Sequence, residues 1–335
     1  MRSSIRKLRF GMMEHPAPAN SWIVPPGEEA IRLDAFVRRC LPYLSQREAH
    51  RAIAEGAFWV NGRPGKKGQR LFAGDVLSYR GEPHLLAAAP VPGSDLQVAV
   101  LYEDECVLVL DKPAGLATHG FSGRERRSLA NFLLAIRPSL AGVGASRWEP
   151  GLVHRLDRDT SGLVLVAKDQ DSFQELRSQF RRGLVGKRYW ALVWGRMKGE
   201  QVLAYPLAHD PRNRKKMTAV RTAEEKPGGA RKWQASTRLK VLRSSHGFTF
   251  LEIDISTGVT HQIRAHLEAF GHPLLGDPLY GGGRPDPFGL GRQFLHACDL
   301  RFRHPRSGLD VTVTSPLPED LGRVLDRLGI RRSWP

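Results

Sequence analysis

Cysteine is scarce: three occur in 335 residues, Cys40, Cys106 and Cys298. None forms a C-x-x-C pair, so neither a disulfide framework nor a zinc knuckle is suggested. Reduced thiols fit a cytoplasmic protein. Long apolar runs are missing as well. None approaches the ~20 residues that span a bilayer, and the basic start (Arg2, Arg6, Lys7, Arg9) has no apolar stretch behind it to make a signal peptide. No G-x-G-x-x-G follows a strand and no G-x-x-x-x-G-K-[ST] occurs, so nucleotide cofactors gain no support. H-E-x-x-H is absent. His261 and His266 stand five apart and diverge by roughly 140° around a helix, so one helix cannot offer both to a metal. Acidic charge is in deficit, with 34 Asp and Glu against 51 Lys and Arg, a net +17. That balance points to a polyanion, usually RNA or DNA, with a generally basic enzyme as the alternative.

What is present suffices for a packed core: 41% of residues are hydrophobic. Residues 1–28 are rich in Pro and polar groups and read as a flexible arm, and 29–86 as a compact module. "LSQREAHRAIAEG" predicts a helix with Ser45 and Glu48 as a capping box, an apolar face of Ala49, Ala52 and Ile53, and Gly56 as its stop. "AFWVNGRP" reads as a strand entering an Asn61-Gly62 turn. "RLFAGDVLSYRG" reads as a second short strand pair. The Pro/Gly composition of 87–95 is that of a linker. From residue 96 to about 325 strands dominate. "CVLVLDKPAG" and "SGLVLVAK" are apolar strands, and "FTFLEIDIS" alternates. "KRYWALVWG" also alternates, with Tyr189, Ala191 and Val193 on one face and Trp190, Leu192 and Trp194 on the other. Two helices stand out. "SFQELRSQFRRG" has Ser172 and Glu175 as its capping box, and "THQIRAHLEAFGH" has Thr260 as its cap. "DPRNRKKMTAVRTAEEKPGG", 210–229, reads as a mobile loop. Strands and helices mix without a regular βαβ beat, which gives an α+β class.

In "GLVHRLDRDTSGLVLVAK", residues 151–168, two acids sit among bases just before an apolar strand, where charge is costly unless paired. Asp157-Arg-Asp159 is similar to the D-x-D-x-[TV] motif of haloacid-dehalogenase-type phosphotransferases. However, Thr160 stands one residue early and no later Asp-Asp pair offers a magnesium site. A two-carboxylate glycosidase is a further option, but nothing else in the chain reads as a sugar cleft.

The run "HRLDRDTSG" resembles the signature of the RluA family of RNA pseudouridine synthases. So do "DKPAGLATH" (111–119), "KRYWALVWG" (187–195), "TGVTHQIRAHL" (257–267), "GHPLLGDPLYGG" (271–282) and "FLHACDLRFRHP" (294–305). These blocks keep the family's order and spacing over residues 96–320. Residues 31–81 resemble the S4-type RNA-binding domain that many members carry in front. One departure stands out: the family usually has Thr-Gly-Arg-Thr-His-Gln, and here Val259 replaces that arginine.

The resemblance implies a large mixed, mainly antiparallel sheet with flanking helices and a central cleft, preceded by a small α/β S4-like domain. It implies isomerisation of uridine to pseudouridine within RNA, without cofactor or metal. The RNA would be large-subunit ribosomal RNA or, alternatively, tRNA. A non-catalytic RNA-binding or assembly factor is the rival from another class. Asp157 would be the essential carboxylate, ionised and paired with Arg264. Tyr189 would stack on the target uracil. Extruding the base costs a few kcal/mol, and Arg155 would stand near the gap it leaves. His154 and Thr160 would shape the loop and help hold RNA. Phosphate contacts are expected from Arg124, Arg126, Arg127, Arg181, Arg182, Arg212, Arg214, Lys215 and Lys216, and, in the front module, from Arg47, Arg51, Arg63, Lys66 and Lys67. The chain is read as a cytoplasmic monomer whose partner is RNA and not a membrane.

Overall fold

The computed structural model describes residues 20–330, apart from 28–29, 42–43, 45, 82–89, 94, 121–126 and 222–230. These residues fall into two compact units that divide near residue 88. Ser45, Arg124 and Arg126, most of the expected arm and four of the nine expected linker residues lie outside the described residues. Among the described residues no helix is long and apolar enough to cross a membrane.

The first unit runs β1 (Ser21–Ile23), β2 (Ile31–Arg32), α1 (Leu33–Cys40), α2 (Gln46–Ala54), β3 (Phe58–Val60), β4 (Arg63–Pro64), β5 (Arg70–Leu71) and β6 (Val76–Tyr79). The last part of the expected arm is thus a strand. Ser21–Ile23 pairs with β6, and Val24 behind it is fully buried. Ala49, Ala52 and Ile53 are the buried side of α2, as their spacing predicts. Asn61 and Gly62 take φ of 49° and 76°, the two positive values that a two-residue hairpin with the natural strand twist requires. The expected pairing of β5 with β6 does not occur. β5 pairs with β2, and β6 lies between β1 and β3, because Leu71 and Leu77 both turn into the core against Leu33 and Phe58.

The second unit contains β7 (Ala99–Glu103), β8 (Val107–Lys112), α3 (Leu129–Ile136), β9 (Ser161–Ala167), α4 (Gln170–Arg181), β10 (Gly186–Trp194), β11 (Glu200–Leu203), β12 (Leu207–His209), β13 (Met217–Ala219), β14 (Lys232–Trp233), β15 (Thr237–Ser245), β16 (Phe248–Ile255), α5 (Gln262–Ala269), β17 (Leu295–Arg303), β18 (Asp310–Thr314) and α6 (Glu319–Arg327). Its nine-stranded sheet has the order β11-β15-β16-β10-β17-β9-β8-β7, with β18 added on β17. Every pairing is antiparallel except β9 with β17, which is parallel and joins only Ser161 to His296 and Gly162 to Ala297. A Cβ on Gly162 would collide with the Ala297 carbonyl, and its φ is 113°. Glycine therefore lets the two strands meet. The α+β class is what the sequence pattern leads one to expect, and the mixed, mainly antiparallel sheet is what the resemblance implies.

The alternation along β10 sorts its side chains between two cores. Tyr189, Ala191 and Val193 pack with Ile253, Ile263 and Leu267. Trp190 and Leu192 pack on the opposite face with Phe250 and with Leu321, Val324 and Leu325 of α6. Each large apolar side chain so buried contributes roughly 1.5–3 kcal/mol.

Two caps differ from expectation. α4 begins at Gln170 and is capped by Asp169, whose Oδ1 accepts the Ser172 N–H at 2.8 Å. Ser172 instead donates its hydroxyl to the same carboxylate. α5 is preceded by His261, not Thr260, at a left-handed φ of 54°. The Gln262 side chain takes up the Val259 N–H and the Thr257 hydroxyl just before it, which tightens the approach. The segment expected as a loop at 210–229 contains β13. Met217 of that strand is buried and donates its N–H to the Tyr280 hydroxyl.

Candidate active site

Asp157 sits in the turn that leads into β9, its side chain 18% exposed. Its Oδ2 accepts a hydrogen bond from Arg264 Nη1 at 2.9 Å, across 107 residues of chain. Arg264 stands on the first turn of α5. Its Nε and Nη2 donate to the two oxygens of Asp277 at 2.7 and 2.9 Å. Asp277 has no side-chain exposure and also accepts the N–H groups of Leu279 and Tyr280. One guanidinium therefore bridges a sealed carboxylate and a solvent-reachable one, with its plane fixed by the sealed one. Burial opposes the Arg264 charge, but Asp277 and Asp157 more than offset it and hold the group protonated above its usual range. Burial likewise opposes the Asp277 charge. Arg264 and the two N–H donors outweigh it, and the carboxyl lies below its usual range.

The Tyr280 ring packs against this arrangement, its centre 5.0 Å from the Arg264 guanidinium. Its hydroxyl meets Nδ1 of His261 at 3.0 Å, and Nε2 of His261 is 3.8 Å from Asp157. Burial pushes the His261 imidazole down, against the pull of Asp157.

The loop that carries Asp157 is held by four side chains. Thr118 both donates to the Leu156 carbonyl and accepts its N–H. Lys112, at the end of β8 and fully buried, donates to the carbonyls of Pro113, Leu116 and Arg158 at 2.8–2.9 Å. Burial pushes Lys112 down to about 7, with Asp157 and Asp159 opposing it. Three acceptors around one nitrogen match the three N–H groups that only the ammonium possesses. Arg292, clamped to Asp320 at 2.7 and 3.0 Å, reaches the Asp159 carbonyl. Gln293 donates to the Thr160 hydroxyl.

A cavity of about 330 Å³ opens over this arrangement, lined by Asp157, Tyr189, Arg264, His261, His154, Arg155 and Lys187 among others. Such a volume suits one small organic group. Tyr189 is 6% exposed, and burial, with Asp157 adding to it, raises its hydroxyl well above the usual range. Arg155 is exposed at the rim. A second cavity shares the 258–260 segment with the first and carries Arg181, Arg182 and Trp233. Val259 lines both, so the wall is apolar where the resemblance leads one to expect an arginine.

The other expected contact residues are dispersed. Thr160 is buried. Lys216 is occupied by Glu268 at 3.2 Å and lies over Tyr280, whereas Lys215, Arg212 and Arg214 are exposed on the turn between β12 and β13. Arg127 pairs with Asp95. In the first unit Arg47, Arg51, Arg63, Lys66 and Lys67 are all exposed. His266 is buried between Thr237 and the Tyr205 carbonyl, away from His261.

The sequence reading missed Asp277, Tyr280, His261, Lys112, Arg292, Gln293 and Lys187. A signal existed for Lys112, a lysine closing an otherwise apolar strand. Asp277 lies within a quoted block, but nothing in its spacing shows that it faces Arg264. Elsewhere, Asp104, Cys106 and His304 come together at neighbouring turns. His304 Nδ1 accepts the N–H groups of Arg306 and Ser307, so Nε2 carries the proton and donates to Asp104 at 3.0 Å. That leaves no ring lone pair for an ion.

The family model described as RNA pseudouridylate synthase matches residues 106–269, and the S4 domain model matches residues 31–77. A protein of Chloroflexus aurantiacus described as an uncharacterized RNA pseudouridine synthase is 39% identical over 316 residues, 93% of this chain and 94% of its own. The chain belongs to the RNA pseudouridine synthase family. The synthase is also 36% identical to ribosomal large subunit pseudouridine synthase D of Neisseria meningitidis serogroup A, over 89% of this chain and 78% of that one. Among solved structures, human RNA pseudouridylate synthase domain containing 4 aligns with a TM-score of 0.53 at 27% identity, covering 69% of this chain and 93% of that chain. The synthase is thus an enzyme that acts on RNA, with an S4 domain in front.

Proposed function

We propose that this synthase isomerises uridines of large-subunit (23S) ribosomal RNA, with Asp157 as its essential carboxylate and no cofactor. The observation that carries the reading is the Asp157–Arg264 pair, anchored behind by Asp277, in the lining of a cavity that also holds Tyr189. The reaction breaks the N1–C1′ bond, turns the freed uracil and closes a C5–C1′ bond. The C5 proton leaves and N1 gains one, so nothing is oxidised and no group enters. The needs are an anionic oxygen at the sugar–base junction and a surface that keeps the loose base in place. Asp157 supplies the first, kept ionised by Arg264. Tyr189 supplies the second. The assignment to ribosomal RNA is supported by the name of the Neisseria relative and by the S4 match. The exposed Arg47, Arg51, Lys66 and Lys67 suit a phosphate backbone.

The test is tritium release from RNA labelled at C5 of uridine, combined with carbodiimide mapping of ribosomal RNA from cells with and without the protein. The wild type should release tritium, and Asp157→Asn should release none while binding RNA nearly as well. Substantial turnover by Asp157→Asn removes the assignment. Mapped sites that fall only in tRNA would redirect it.

A further inference from the structure

Lys187 lies two residues before Tyr189 on β10 and is 7% exposed. Among the described residues no carboxylate pairs with it. Its ammonium donates one hydrogen bond, to the Thr257 carbonyl at 2.7 Å, and stands 5.5 Å from the centre of the Phe180 ring. Contrast Lys112, whose three N–H groups are all taken. A buried cation with unused donors and no counter-charge is costly and persists only where something compensates.

Phe180 also stacks on His154, ring centres 4.9 Å apart. Nε2 of His154 accepts the Leu165 N–H at 2.9 Å. The ring proton therefore sits on Nδ1, for which no acceptor is found among the described residues. Burial, with Lys187 and Arg177 adding to it, pushes His154 down to about 3. The ring is a neutral donor throughout the physiological range. Lys187 and His154 line the same cavity as Asp157 and Tyr189.

We infer that Lys187 and His154 form an oxyanion subsite for a phosphate of the bound uridine nucleotide. The inference rests on reading this cavity as the uridine site. Positions 187 and 189 share a strand face and stand ~7 Å apart, about the span from a base to its own phosphate. An ammonium and a neutral N–H together suit an anion with several acceptor oxygens. The phosphate supplies the charge that Lys187 lacks. Recognition here is of the backbone and not of the base, and it fixes the sugar relative to Asp157. The exposed Arg181 and Arg182 are different in kind, since solvent screens them.

The test compares the binding of uridine, uridine 3′-monophosphate and uridine 5′-monophosphate to the full-length wild type and to Lys187→Met, which keeps an unbranched stem without the charge. One of the two monophosphates should bind the wild type about tenfold or more tightly than uridine, the scale of a hydrogen bond to a charged group. That advantage should vanish in Lys187→Met, and it should fade in the wild type as pH rises above about 8, where the free ammonium begins to deprotonate. Monophosphates that bind the wild type no better than uridine overturn the subsite, as does an advantage that survives in Lys187→Met. Tritium release from total RNA is measured alongside. Release without a phosphate advantage leaves the isomerase reading standing and the subsite wrong. A phosphate advantage without release does the reverse.

Discussion

Asp277 grips Arg264 through two parallel hydrogen bonds of 2.7 and 2.9 Å, and the geometry of that fork aims the remaining Nη1 at Asp157. The orientation of Asp157 is thus set by an acid that never meets solvent.

Asp277→Asn should reveal this. An amide offers one acceptor and one donor where the guanidinium needs two acceptors, so the fork opens and a buried charge loses its partner. The expected loss is about 3–5 kcal/mol of folding stability and about a hundredfold or more in kcat, with RNA affinity little changed. Urea unfolding and single-turnover tritium release check both. A variant as active as the wild type would show that Arg264 needs no anchor.

Lys187→Met should make the RNA-free synthase more stable. The folded protein holds Lys187 at about 8, below the ordinary lysine value of 10.5. Between those values the unfolded chain binds more protons than the folded one, so wild-type stability rises with pH across that window. Below pH 8 the cost of the buried ammonium is fully present, roughly 3 kcal/mol at most. Above 10.5 it is gone. The stability gain of Lys187→Met is therefore expected at pH 7 and should shrink towards pH 10.5, as thermal melts over that range will read. A gain that is the same at both ends would count against a buried, unpaired cation.

Gly162→Ala should fail for a steric reason. The new methyl would occupy the place of the Ala297 carbonyl at a φ of 113°. Backbone strain and overpacking each cost about 1–3 kcal/mol. A melting temperature several degrees lower is expected, with a larger loss of turnover, since Asp157 stands five residues upstream. A soluble, fully active Gly162→Ala would mean that β9 tolerates displacement from β17.

The sequence disclosed the elements whose signals are local. Alternation in β10 correctly placed Tyr189 opposite Trp190, and Asn61-Gly62 correctly marked a hairpin. The pairing of Arg264 with Asp157 came from motif blocks and not from periodicity, because the contact joins residues 107 apart. Capping was legible to within a few residues only. Asp169 and Ser172 both satisfy a capping pattern, and the winner is the carboxylate, which accepts two hydrogen bonds from Ser172. Lys112, Arg292 and Gln293 were missed because they grip backbone or a hydroxyl of the 156–160 loop, and such contacts leave no pattern of spacing. Lys187 was missed because a lysine on an alternating strand reads as a surface charge, and its burial depends on Phe180 and the 257–258 segment folding over it.

The parallel join between β9 and β17 involves two residue pairs, whereas β8 and β9 share six. Asp157 belongs to one side of that seam, and Arg264 and Tyr189 belong to the other. Mild heat or denaturant that prises the seam apart will part the acid from its cation while the outer strands still hold. Turnover is expected to die early on the melting curve, well before the bulk of the sheet has come undone.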